Sequence, residues 1–210
     1  MPVSNARLKW LSHNFLRLFF YTKKINNNIE TYQERFLMNL QQLLRRYNRG
    51  DRDFSDDSFR SESFPRTVLS GADFSRCDFT GVDLSYTDIS RANLVGANLT
   101  RSELVNADLS GADLQSVNLI GADLRRASLV GVNLAGADLR VANLEGADLS
   151  GANLAGARLD GANLRHANLT CARVAASQLE MANCEGATLK ALDDSCSIVL
   201  EAVRWHSWDV

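Results

Sequence analysis

The sequence predicts an all-β solenoid in which the chain turns every five residues, and three observations carry that prediction. From Phe74 to Leu189 every fifth residue is apolar without a single insertion: Phe74, Phe79, Leu84, Ile89, Leu in steps of five from 94 to 169, then Val174, Leu179, Cys184 and Leu189. Two residues before each sits a small side chain, as in Ala72, Ala92, Ala97, Ala107 and Ala112, with Cys77, Val82 and Ser102 as variants. Twelve of the thirteen glycines share one phase, two residues after the central apolar residue. A period of five fits neither the helical nor the strand repeat, so the chain must bend regularly. Glycine marks the bends, where a tight turn needs a positive φ. The small and central residues then face inward, and the Asp or Asn between them faces water.

Ahead of the repeat lies a basic segment. The chain has 210 residues, 45% hydrophobic and 23% charged, the composition of an ordinary soluble protein. Its net charge of −2 conceals an asymmetry: nine Lys and Arg against two Asp and Glu over residues 1–50, but ten against fourteen over 70–190. Residues 28–48 place Ile29, Tyr32, Phe36, Leu40, Leu43, Leu44 and Tyr47 at helical spacing, with Thr31 and Glu34 matching a capping box. Residues 5–22 predict a second amphipathic helix, with Leu8, Leu11, Phe15 and Leu18 opposite Lys9, His13 and Arg17. Trp10, Phe20 and Tyr21 fall outside its apolar stripe. The run Leu18–Tyr21 is too short to span a bilayer, and Arg17, His13 and Asn14 interrupt what would be a signal-peptide core, so secretion is not expected.

Residues 51–68, rich in Asp, Arg and Ser, read as a linker and an irregular first coil, although Phe54, Phe59, Phe64 and Leu69 keep the phase of the repeat. In the block 69–190, units such as Ala112-Asp113-Leu114 and Ala152-Asn153-Leu154 resemble the pentapeptide-repeat family, and its cyanobacterial-type members in particular. The resemblance implies a right-handed quadrilateral β-helix with four pentapeptides per coil. Residues twenty apart would then stack about 4.8 Å apart. The series Arg125, Glu145, Arg165, Glu185 alternates in sign at that interval, which favours four sides over three, while Asp160 beneath Glu180 runs against it. Residues 191–210 complete the chain with Asp193-Asp194-Ser195 as helix-capping candidates and Ile198, Val199, Ala202 and Trp205 as the apolar face of a short C-terminal capping helix.

Several motifs carry no chemistry. The glycine spacing writes G-x-x-x-x-G, as in Gly146 to Gly151, but no Lys-Ser or Lys-Thr follows, so a phosphate-binding loop is excluded. Arg49-Gly50-Asp51 and the Asn98-Leu99-Thr100 sequon are accidents of composition, and His166 reads as a solvated face residue. Cys77, Cys171, Cys184 and Cys196 form no C-x-x-C pair and read as reduced thiols. The Asp columns solvate the faces; no metal, cofactor or catalysis is expected.

A repeat of so few residue types cannot converge different side chains on one reacting point, so the expected function is that of a non-enzymatic scaffold or adaptor. Its rigid β-helix would dock proteins, while the basic N-terminal helices anchor it to a membrane surface or an acidic assembly such as a photosynthetic or antenna complex. That places it in the cytoplasm, peripheral to a membrane. The partner contacts expected are Trp10, Arg17, Phe20 and Tyr21 together with one sparsely charged column of the solenoid, Val95, Gln115, Ala135, Ala155 and Ala175, flanked by Asn93, Asn133 and Asn153. The alternative is a DNA-mimicking protein that binds and protects a type II topoisomerase, which needs a strongly acidic rod; fourteen acidic against ten basic residues make this one patchy. Direct nucleic-acid binding is not expected without a basic stripe. The oligomeric state is left open.

Overall fold

The computed structural model describes residues 39–190. The expected helix over 5–22, the Thr31–Glu34 capping box and the capping helix within 191–210 lie outside the described residues, as do Trp10, Arg17, Phe20 and Tyr21.

The units with Asp or Asn in the ladder position share one hydrogen-bonding pattern, and the unit 112–116 shows it. Ala112 N–H closes a turn onto the Leu109 carbonyl (2.9 Å), Asp113 N–H reaches the previous coil at Ala92 (2.9 Å), and Leu114 and Ser116 N–H reach the next coil at Asn133 (2.8 Å) and Ala135 (2.9 Å). The fifth donor, Gln115 N–H, has no backbone partner and bonds Oδ1 of Asp113 at 3.1 Å. All five backbone donors are thereby satisfied. The residue between the small and the central side chain is thus Asp or Asn because its short side chain reaches the N–H two residues on, as an Asx turn does.

Parallel bridges join each such residue to the one twenty positions later, from Asp53 with Asp73 to Asn168 with Thr188. One coil is therefore four units, and the solenoid has four faces. Face I carries Phe54, Phe74, Leu94, Leu114, Leu134, Leu154 and Val174 as its inward column; faces II, III and IV begin with Phe59, Phe64 and Leu69. From Asp56 to Cys171 each corner is a turn with positive φ at its third residue alone, the type II signature. Where that residue is not glycine the turn is strained, most of all at Val141 (φ 50°), a β-branched side chain that is 62% exposed and gains no burial in return. Val141→Gly is expected to stabilise the protein by about 0.5–1 kcal/mol, the released strain exceeding the extra chain entropy of glycine, as judged by the urea midpoint.

The structure corrects three boundaries. Residues 51–68 are a regular coil: Asp53, Ser58, Ser63 and Val68 are all bridged to the coil above, and Phe54, Phe59 and Phe64 are at most 1% exposed. Of the helix expected over 28–48, residues 28–38 lie outside the described residues, and at its described end Asn39 is extended and caps helix α1 (Leu40–Asn48), forming a capping box with Gln42. α1 ends on Gly50 (φ 93°), where Gly50 N–H bonds Tyr47 O and Asp51 N–H bonds Arg46 O, a Schellman stop. It lies against the first coil: Leu43 is fully buried, Tyr47 Oη donates to Ser70 O at 2.9 Å, and the Arg46 guanidinium sits 4.7 Å from the centre of the Phe54 ring. α1 thus covers the end of the stack that a solenoid must protect.

At the other end the buried column stops at Val174. Leu179, Cys184 and Leu189 are only half-buried, because they belong to the last coil and no further coil among the described residues packs on them. In this coil the short helix α2 (Ala176–Leu179) replaces one strand and corner without changing the register, since Asn163 with Asn183 and Asn168 with Thr188 remain bridged. Gln178 makes the replacement possible. Its backbone N–H turns to Ala175 O, and its side-chain Nε2 takes over the lost ladder bond to Ala157 O (2.7 Å) while also reaching Leu154 O (2.8 Å).

Candidate functional site: the flat face

Stacking at intervals of twenty places Val95, Gln115, Ala135, Ala155 and Ala175 in one column on face I, beside the ladder Asn93, Asp113, Asn133, Asn153. Asn133 Nδ2 donates to Asp113 Oδ1 and Asn153 Nδ2 to Asn133 Oδ1, both at 3.0 Å, so the ladder amides are tied to one another along the rod. The corners on either side are mostly glycine: Gly96, Gly136 and Gly156 along one edge, Gly111, Gly131 and Gly151 along the other. Between Asn93 and Gly156 the face therefore presents uncharged side chains, the largest of them Gln115, and a single carboxylate, Asp113. The glycine borders are the part that the single column missed, and reading the corners at intervals of twenty would have revealed them.

The other faces are charged. On face II, Arg140 grips Asp138 with Nε–Oδ1 at 2.8 Å and Nη2–Oδ2 at 2.7 Å, and this hydrogen bonding holds the Asp138 carboxyl below its usual range. On face III, Arg125 pairs with Asp123 in its own unit (2.7 Å) rather than with Glu145 one coil on, so of the expected alternating column only Arg165 and Glu185 make an ion pair (2.8 Å). A two-residue spacing brings Arg and Asp onto one pleat, which competes with the vertical neighbour. Face IV carries the carboxylates Asp88, Asp108 and Asp148. Among the described residues no cluster of His, Cys, Asp and Glu has the arrangement to hold a metal ion, and no helix is long and apolar enough to cross a membrane.

The cysteines differ from one another. Cys77 is a buried free thiol whose Sγ contacts Phe54 O at 2.9 Å, and burial pushes its pKa up to about 12, so it packs and does not react. Cys171 is disulfide-bonded, which corrects the reading of all four as reduced.

A four-sided parallel β-helix with such a repeat defines a class of non-enzymatic repeat proteins. A family model for pentapeptide repeats matches the chain in eight copies, over 64–101, 92–129, 102–140, 127–165 and 142–179. The chain belongs to the pentapeptide-repeat family, whose fold is the right-handed quadrilateral β-helix. Similar solved structures include HetL, involved in heterocyst differentiation regulation in the cyanobacterium Nostoc sp. strain PCC 7120, at 28% identity over 73% of this chain and 93% of that one (TM-score 0.38). Rfr23 from the cyanobacterium Cyanothece 51142 is 25% identical over 70% and 92% (0.40). A trypsin-treated form of QnrB1, a plasmid-mediated fluoroquinolone resistance protein, is 23% identical over 67% and 86% (0.49). No curated protein matches the chain.

Proposed function

We propose that this protein is a scaffold that docks a protein partner on face I of its β-helix, with the basic segment ahead of α1 anchoring it to a membrane surface or an acidic assembly of the photosynthetic or antenna kind. The observation that carries the reading is the flatness of face I: Ala135, Ala155 and the glycine borders let another backbone approach closely, and little charge must be desolvated. Charge distribution weighs against DNA mimicry. Residues 51–90 hold nine acidic and four basic residues, but 91–190 hold ten and nine, so the acidity is a belt near one end and not a line along the rod.

The test introduces bulk and charge on the flat face of the full chain. Ala135→Arg with Ala155→Arg is expected to abolish capture of the partner from a cyanobacterial membrane extract, read by mass spectrometry, while Ser90→Arg on face IV leaves it intact. Capture that survives the double change sinks the docking reading. Removing residues 1–38 tests the anchor separately, because Asn39 and Leu43 keep the α1 cap intact. Protection of a topoisomerase from its poison by that truncated chain would favour the DNA-mimic alternative.

A further inference from the structure

The corner between faces III and IV contains a notch of about 370 Å³, lined by Val105, Arg125 and Glu145 in one column and by Arg126, Gly146 and His166 in the next. These are two stacks of three residues from successive coils, and Gly146 at the centre of the second stack is the floor. Its backbone N–H is already bonded to Arg165 O (2.8 Å), so the floor offers no donor. A side chain there would stand 3.6 Å from Arg126 Cγ, which shows that the Arg126 stem runs along the floor. His166 folds across Gly186 one coil on.

The walls differ in what they can still bind. Arg125 is held by both oxygens of Asp123. Among the described residues neither Arg126 nor His166 makes an ion pair or a side-chain hydrogen bond, so the notch keeps a guanidinium and an imidazole beside the Glu145 carboxylate, whose Oε2 accepts a long bond from Asn163 Nδ2 (3.5 Å). Arg125-Arg126 is also the one place in the repeat where two cations are adjacent in sequence.

We propose that this notch seats a carboxylate side chain from an acidic segment of a protein partner. The carboxylate would pair with Arg126 and accept from His166, and the segment's own backbone N–H would face Glu145. Glu145 sets the class of anion: it stands against a dianionic phosphate far more than against a monoanionic carboxylate that brings a donor with it. A nucleic-acid backbone fits worse, because, of the other corner arginines, Arg76, Arg91 and Arg101 lie on the three other corners and Arg66, on this one, stands three coils away, so they form no line of phosphate-spaced charge. The notch and face I do not share a residue, so either proposal can fail alone.

The test is a backbone-amide NMR titration of the full chain with an end-capped tetraglutamate, at fixed ionic strength, beside inorganic phosphate and tetralysine. Saturable shifts confined to Arg125, Arg126, Gly146 and His166 with tetraglutamate alone are expected, and Arg126→Gln should weaken them about fivefold, the upper end for a solvent-touched ion pair. Glu145→Gln should admit phosphate to the same site. Arg91→Gln, at another corner, should change nothing. Shifts that do not saturate, that persist unchanged in Arg126→Gln, or that phosphate reproduces with the original Glu145 in place would overturn the proposal.

Discussion

Phe59→Ala is expected to destabilise the protein by about 3–5 kcal/mol, the range for removing a large aromatic side chain from a core that cannot close around the gap. Phe59 is fully buried, stacks on Phe79 one coil on at 4.9 Å, and meets Phe64 and Phe74 edge-on at 5.6 and 6.0 Å. These rings fill the two coils nearest α1. The backbone around them is pinned to the neighbouring coil by Phe59 N–H to Asp78 O (2.8 Å) and Phe64 N–H to Asp83 O (2.7 Å), so relaxation into the cavity would break ladder bonds. Because a solenoid's stability is a sum over neighbouring repeats, the loss should open the first coil before the rest. Hydrogen exchange should therefore accelerate at the amides of 54–69 with little change beyond 110. A loss below about 1.5 kcal/mol would mean that residues 51–68 behave as the linker their composition suggests.

That composition explains why the first coil was hard to read. In the interior, the residue two before each central side chain lies between coils above and below and must be small. In the first coil the same positions hold Arg52, Asp57, Glu62 and Thr67, none of them fully buried, because no coil among the described residues lies beneath them. The phase of Phe54, Phe59 and Phe64 was the better guide than polarity. The same physics hid the end of the buried column, since Leu179, Cys184 and Leu189 keep the period but no layer among the described residues covers them. The start of α1 was misjudged for a local reason: Asn39 and Gln42 cap a helix within an otherwise continuous apolar stripe, and the capping bonds at 3.0 and 3.2 Å override the stripe. Periodicity reports which side chains face inward, whereas the hydrogen bonds of the Asp and Asn residues, and the role of Gln178 at α2, depend on backbone geometry that a pattern of polarity does not encode.

Ala147→Leu is expected to cost about 1–3 kcal/mol by overpacking, and Asp148→Asn, its neighbour, to stay within about 0.5 kcal/mol. Ala147 is fully buried on face IV between Ala127 and Ala167, which are fully buried in the coils on either side. Three added carbons would have to enter a layer whose spacing is fixed by Asp148 N–H to Ala127 O (3.0 Å) and Asn168 N–H to Ala147 O (2.9 Å), so the strain cannot be relieved by sliding one coil from the next. Asp148 faces water and serves through one atom: Oδ1 accepts from Ser150 N–H and from Asn168 Nδ2, each at 3.0 Å. Asparagine keeps that oxygen, whereas Asp148→Leu removes it, strands the Ser150 N–H and should cost about 1 kcal/mol. Urea unfolding of the three variants distinguishes the roles. If Asp148→Asn were as damaging as Asp148→Leu, charge and not the acceptor would be what the position requires; if Ala147→Leu were silent, the layer would have room that the ladder spacing denies it.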